Sequence, residues 1–256
     1  MKRAEEELSE TLYRAYRDKE PVVWQEVERE ALDPQRAYEV QHAFNQAKDE
    51  RIRGYKISLT SQTTQDLFHA DSPLYGQIVA SSVLKDGARI DRTELNEPLL
   101  ELELEFTVLE DLLPEDDEQA LLEKTELAPG VEIPDSRFKD WFPSLPLELV
   151  ISDSAVCGRV VVGPPAAKLE AGQLANIHAH ATRDGEAVVE GVSSEVLGNP
   201  LHALHWLVQK LAQEGKVLGK GTTISSGTFC LPKKLMRGHY EAVFDQGLGS
   251  VSFDVD

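Results

Sequence analysis

The residues with the clearest chemical potential lie in the stretch Glu97-Pro98-Leu99-Leu100-Glu101-Leu102-Glu103-Leu104-Glu105-Phe106. Its strict alternation predicts a β-strand with two unlike faces, Leu100, Leu102, Leu104 and Phe106 on one and Glu101, Glu103 and Glu105 on the other. Same-face neighbours on a strand sit roughly 6.5–7 Å apart, so two adjacent glutamates can converge on one cation. Three like charges in a row repel unless water or a cation screens them. The stretch therefore reads either as a half-exposed strand with its glutamates in water or as an oxygen-only metal site. Glu is depleted in strands, so propensity alone would not place three in a row. A further glutamate, Glu132, stands between Val131 and Ile133 and can point into the same interior.

Lys56 lies inside a second alternating stretch, Gly54-Tyr55-Lys56-Ile57-Ser58-Leu59-Thr60. Such a lysine points either to water or into a pocket, where it can bind a carboxylate or move a proton. His178 and His180 share one face of a predicted strand, a spacing compatible with metal but commoner for solvent-facing side chains. His202 and His205 form no ligand pattern. Ser225-Ser226-Gly227-Thr228 places a glycine where backbone amides can approach a ligand.

The elements that must hold these groups are legible in outline. A surface helix is expected over residues 4–18. A second helix is expected from Asp33, with Pro34 in its first turn, ending before Gly54. A short helix is predicted over Thr63 to Phe68 and a turn at Asp71-Ser72-Pro73-Leu74-Tyr75-Gly76. Strands at Ile78–Leu84 and Ala88–Asp91 are expected to pair as a hairpin through Lys85-Asp86-Gly87. The run Pro114-Glu115-Asp116-Asp117-Glu118 reads as a solvated loop entering a helix. A hairpin is expected across Arg183-Asp184-Gly185-Glu186, then a loop over Ser193 to Pro200. An amphipathic helix carrying Leu201, Leu204, Val208 and Leu211 follows, and a last hairpin through Gly247-Leu248-Gly249. Strands dominate from 54 onward, which predicts a mixed α+β fold. No linker divides the chain, so residues 1–256 are expected to form a single catalytic domain, with a helical segment 1–53 packed on a β-rich core 54–256.

The chain has 256 residues, 41% of them hydrophobic, and a formal charge of −19 from 45 acidic and 26 basic residues. That field repels phosphate backbones and anionic lipid surfaces, so neither nucleic acid nor membrane is an expected partner. An anionic substrate needs a local cation, either a metal ion or a buried Lys or Arg. Two cysteines make neither a disulfide framework nor a zinc motif. No apolar h-region opens the chain and no apolar run reaches membrane-spanning length, so a cytoplasmic setting is expected.

Several of these pieces, in this order, resemble the hydratase–decarboxylase branch of the fumarylacetoacetate hydrolase superfamily. They are Lys56 to Thr60, Pro98 to Glu103 as Pro-x-x-Glu-x-Glu, and Glu132-Ile133-Pro134-Asp135-Ser136-Arg137. Ser194 to Leu201 and Gly247-Leu248-Gly249-Ser250-Val251 complete the set. The resemblance runs from about Ala31 to Asp254. It implies a mixed β roll with flanking helices, often oligomeric, acting on a small 2-oxo acid with Mg²⁺ or Mn²⁺. By resemblance the metal ligands are Glu101, Glu103 and Glu132, which suits a hard cation, and Glu105 stands outside them. Lys56 is implied near the substrate carboxylate and the proton transfers. Leu59, Thr60, Leu74 and the pair Ser226-Gly227 are implied at the substrate.

The branch is divided. Hydratases of this family tend to carry Asp where Leu74 stands, which resembles the decarboxylases, whereas Ser194-Glu195 resembles the hydratases. Glu195 can supply the carboxylate that Leu74 lacks. The expected activity is a 2-keto-4-pentenoate hydratase. A 4-oxalocrotonate-type decarboxylase and a homologue that binds metal and 2-oxo acid without turnover are the alternatives. The superfamily's C–C hydrolases rely on a His–Glu pair that this sequence does not display. Ser58, where relatives usually have Gly, and Pro134 are further departures that bear on pocket shape.

Overall fold

Two helices open the chain. In the computed structural model, which describes residues 3–28 and 32–256, they are α1 (Arg3–Asp18) and α2 (Pro34–Ala47). Met1, Lys2 and residues 29–31, where the family resemblance begins, lie outside the described residues. α2 starts as its sequence dictates: the Asp33 carboxylate accepts the Arg36 amide at 2.9 Å, and Pro34 fills the first turn. Leu8 and Leu12 of α1 and Ala37, Val40 and Phe44 of α2 share one apolar cluster with Leu59, Phe68, Leu74, Phe138, Trp141 and Leu149. The helical segment is thereby fixed to the β-rich part by side chains drawn from both.

The strands are, in chain order, β1 (Ile52–Ser58), β2 (Leu74–Val79), β3 (Val83–Lys85), β4 (Ala88–Ile90), β5 (Leu99–Val108), β6 (Thr125–Ile133), β7 (Arg159–Val162), β8 (His178–Arg183), β9 (Glu186–Val192), β10 (Thr223–Ser225), β11 (Lys233–Lys234), β12 (Gly238–Phe244) and β13 (Gly249–Val255). The larger sheet runs β2-β1-β10-β5-β6-β7-β3, with β11 on the far end of β5, and the smaller runs β4-β13-β12-β8-β9. Four more helices connect them: α3 (Gln62–Phe68), α4 (Glu118–Glu123), α5 (Leu147–Ser152) and α6 (Pro200–Gln213). Leu100, Leu102, Leu104 and Phe106 of β5 pack into a core shared with Tyr240 and Phe244 of β12, Val251 and Phe253 of β13, and Leu201, Leu204 and Leu211 of α6. This is the α+β roll with flanking helices expected from the resemblance.

Two local expectations need correction. Residues 83–90 do not form a hairpin. β3 pairs in parallel with β7 of the larger sheet, while β4 pairs in parallel with β13 of the smaller. The Asp86-Gly87 turn is a crossover between sheets, with Gly87 N–H donating to Ser252 O at 2.8 Å. Its turn chemistry serves either outcome, and long-range partners decide. Likewise Leu74, Tyr75 and Gly76 open β2 rather than closing a turn, Ser58 pairing with Leu74 and Lys56 with Gly76; a proline just before a strand is compatible with that.

Candidate metal and substrate site

β5 supplies the acidic face. Across the ladder Glu101 pairs with Glu132 and Glu103 with Gly130, so alternation puts all the glutamates on one side of β5 and β6. Neither face of β5 is wet: Glu103, Glu105 and Glu132 are fully buried and Glu101 is 9% exposed. The half-exposed reading of this strand is therefore overturned. Alternation distinguishes two faces without saying that either meets water, and here one faces the core and the other an internal chamber.

Glu101, Glu103 and Glu132 each present an oxygen, and these oxygens lie within 4.8 Å of one another. Lys56 completes the group. It is 1% exposed, and its Nζ pairs with Glu132 Oε1 at 2.5 Å, so the solvated reading is overturned here too. In a flat sheet β1 and β6 would stand on the order of 14 Å apart; the curl of the sheet closes that gap. Burial pushes the Lys56 ammonium down, but Glu132 and Glu101 outweigh it and the net shift is upward. Burial, then the neighbouring Glu132, raise Glu101 to about 8 against the pull of Lys56. Glu103 is raised by the same two causes.

Buried charge without a partner is costly, and this cluster retains it. Glu103 Oε1 and Glu132 Oε2 have no hydrogen-bond partner. Glu103 Oε2, by contrast, accepts from Ser225 Oγ at 2.6 Å and from the Gly227 amide at 2.8 Å. The residues fit one hard divalent cation: oxygen donors only, converging, with carboxylate oxygens that no protein donor meets.

The chamber has a free volume of about 30 Å³, room for an ion or a water. Its wall includes Leu59, Phe68, Trp141, Phe142, Val150 and Val156, and Lys56 is its one cationic side chain. It shares Thr228 with an open cleft of about 730 Å³ lined by His178, His180, Glu190, Glu195 and Lys233, among others. Sequence reasoning included Thr228 in the Ser225–Thr228 stretch without giving it a role of its own, and gave none to the aromatic pair Trp141-Phe142, for which the neighbouring Pro143 was the available signal.

The other expected site residues divide. Leu59 lines the chamber, with backbone φ of 56°. Thr60 is buried, its Oγ1 unpartnered and only 2.4 Å from where a Cβ on residue 227 would stand, so Gly227 is what allows that packing. The Gly227 amide, expected to approach a ligand, instead holds Glu103. Ser226 is tied to β5, its N–H bonded to Leu104 O and its Oγ accepting the Leu104 amide. Leu74 is buried in the apolar cluster behind the chamber. Glu195 is exposed and lines the outer cleft. His178 and His180 are exposed on β8. Among the described residues the acidic trio is the single cluster of three or more metal-ligating side chains.

The chain is 31% identical over 222 residues to 2-keto-4-pentenoate hydratase of Burkholderia vietnamiensis, a match spanning 84% of this chain and 83% of that protein. It is 29% identical over 221 residues to 4-oxalocrotonate decarboxylase of Pseudomonas putida, spanning 84% and 83%. The solved structure of 4-oxalocrotonate decarboxylase from Pseudomonas putida G7, complexed with magnesium and adipate, superposes with a TM-score of 0.90 at 25% identity, over 98% of this chain and 97% of that one. No family model matches the chain. Fold, acidic trio and relatives agree: the chain belongs to the hydratase–decarboxylase branch of the fumarylacetoacetate hydrolase superfamily.

Proposed function

We propose that the protein is a lyase acting on 2-hydroxy-2,4-dienoic acids with Mg²⁺ or Mn²⁺, as a 2-keto-4-pentenoate hydratase. The observation that carries this reading is the buried trio of converging carboxylates paired with Lys56, beside a chamber walled largely by apolar side chains. Glu101, Glu103 and Glu132 would hold the ion, which supplies Lewis-acid stabilisation of negative charge on the substrate's 2-oxo oxygen. Lys56, charged and paired with Glu132, binds the substrate carboxylate and holds a proton for delivery. Phe68, Trp141 and Val156 wall the chamber and exclude bulk water from the ion. Leu59 shapes the near wall, Thr60 packs against Gly227, Leu74 lies in the apolar cluster behind, and the Gly227 amide steadies the ligand Glu103. Glu195, in the cleft beyond Thr228, exchanges protons with solvent during hydration.

Decarboxylation is the second reading, favoured by Leu74 and by the TM-score of 0.90 to a decarboxylase. We take residues 1–256 as one catalytic domain and infer a cytoplasmic homo-oligomer, in keeping with two unbridged cysteines. No helix among the described residues is long and apolar enough to cross a membrane. The deciding experiment gives metal-loaded protein 2-hydroxypenta-2,4-dienoate and, separately, 4-oxalocrotonate. Decay of the dienol absorbance with a 4-hydroxy-2-oxo acid as product supports hydration. Carbon dioxide from the second substrate, with no hydration of the first, replaces it with the decarboxylase reading.

A further inference from the structure

Glu105 is the buried acid that the metal reading leaves unused. It sits two residues beyond Glu103 on the same face of β5, fully buried, yet outside the converging trio. Its side chain leans back toward Glu103. Glu105 Oε1 lies 2.8 Å from Ser225 Oγ, the hydroxyl whose other short contact, 2.6 Å, is Glu103 Oε2. The Gly227 amide fixes the same Oε2 from a second side. One oxygen of Glu103 is thus held by the protein and the other is left bare.

Space for this lean comes from Gly130, directly across the ladder from Glu103. A Cβ there would stand 2.3 Å from Glu105 Cγ and 2.6 Å from its Oε1. Glu105 Oε2 has no hydrogen-bond partner. For the fold alone, a carboxyl so placed is a poorer choice than a leucine of similar volume.

We propose that Glu105 is a positioning residue: braced over Gly130, it sets the Ser225 hydroxyl against Glu103 Oε2, so that Oε1 alone is presented to the divalent cation. The inference rests on the metal site proposed above. It is tested by titrating the metal-free full chain with Mn²⁺ alone, followed by calorimetry and by the paramagnetic signal of free Mn²⁺. Ser225→Ala and Glu105→Leu should each weaken Mn²⁺ binding about tenfold or more, the scale of lost outer-sphere partners. Glu105→Gln keeps a polar group that can meet Ser225 Oγ and should bind close to wild type. Without metal, Glu105→Leu should melt no lower than wild type, which separates positioning from a merely structural role. Wild-type affinity in Glu105→Leu overturns the proposal, and so does a loss in Glu105→Gln as large as that in Glu103→Gln, which would make Glu105 a ligand. If Glu105→Leu does not fold, Ser225→Ala decides, and unchanged affinity there overturns the proposal. A Glu103→Gln variant that binds Mn²⁺ normally would instead remove the metal site and the inference with it.

Discussion

The segment from Glu132 to Arg137 ends in two buried charged clusters of opposite design. At one end every side-chain nitrogen of Arg137 has a partner. Its Nε donates to Asp153 Oδ1, its terminal nitrogens donate to Cys157 O and Asp153 O at 2.8 Å each, and its own amide meets Asp153 Oδ2 at 2.9 Å. Ser136 Oγ adds a further bond to Asp153 Oδ2 at 2.7 Å. At the other end Glu132, Glu101 and Glu103 crowd together with Lys56 as their counter-charge among the described residues and with acceptor oxygens that no protein donor meets. Burial is equal in the two clusters, so burial does not mark the site. The two differ in hydrogen bonding: buried oxygens of the acidic cluster have no protein donor, and converging as they do they call for an explanation that a bound cation supplies. The fully partnered cluster specifies how α5 and the loop after β6 meet; the other is where we propose that the metal ion binds.

Breaking each cluster should separate them. The largest effect on the fold belongs to Asp153→Ala, which strands the Arg137 guanidinium; a loss of roughly 3–5 kcal/mol is expected, read as a denaturant midpoint that Mg²⁺ does not restore. Lys56→Met should cut turnover by about 10²–10⁴-fold, the range for a lost proton-transfer group, while Mn²⁺ titration still shows binding. Near-normal activity would return Lys56 to a charge-balancing role. Glu103→Gln should weaken Mg²⁺ or Mn²⁺ binding by at least about 10–100-fold, since a direct ligand matters no less than the outer-sphere partners for which that range is known.

The pH dependence sharpens the same contrast. Glu101 is raised from 4.5 to about 8 by burial and then by Glu132. An acid raised on folding is protonated more readily in the native state, so its contribution is present below about 4.5 and is lost as pH climbs toward 8. The metal-free protein should therefore lose thermal stability across that window, while ion affinity rises as the carboxylates shed competing protons. Melting curves that rise with pH in the absence of metal would contradict this. The smallest effect is expected from Glu195→Gln, exposed in the outer cleft. Hydration should slow, with any decarboxylation unchanged, and an unaltered hydration rate would sink its proposed role.

The sequence alone determined several of the elements and the donor chemistry. The period-2 run at 100–106 could only be a two-faced strand, Asp33-Pro34 could only open a helix, and Glu-x-Glu with Glu132 offered oxygen and nothing softer. Motif order was enough to name the family, because several short patterns in one sequence constrain each other. What the chain could not disclose was which face is wet, since alternation encodes difference between faces and not their surroundings. Tertiary structure alone buried both faces of β5 and curled the sheet until Lys56 of β1 reached Glu132 of β6. It also sent β3 and β4 to different sheets and set Glu195 outside the chamber with Leu74 behind it. Those outcomes depend on contacts between residues tens to a hundred positions apart, whose partners no local pattern specifies.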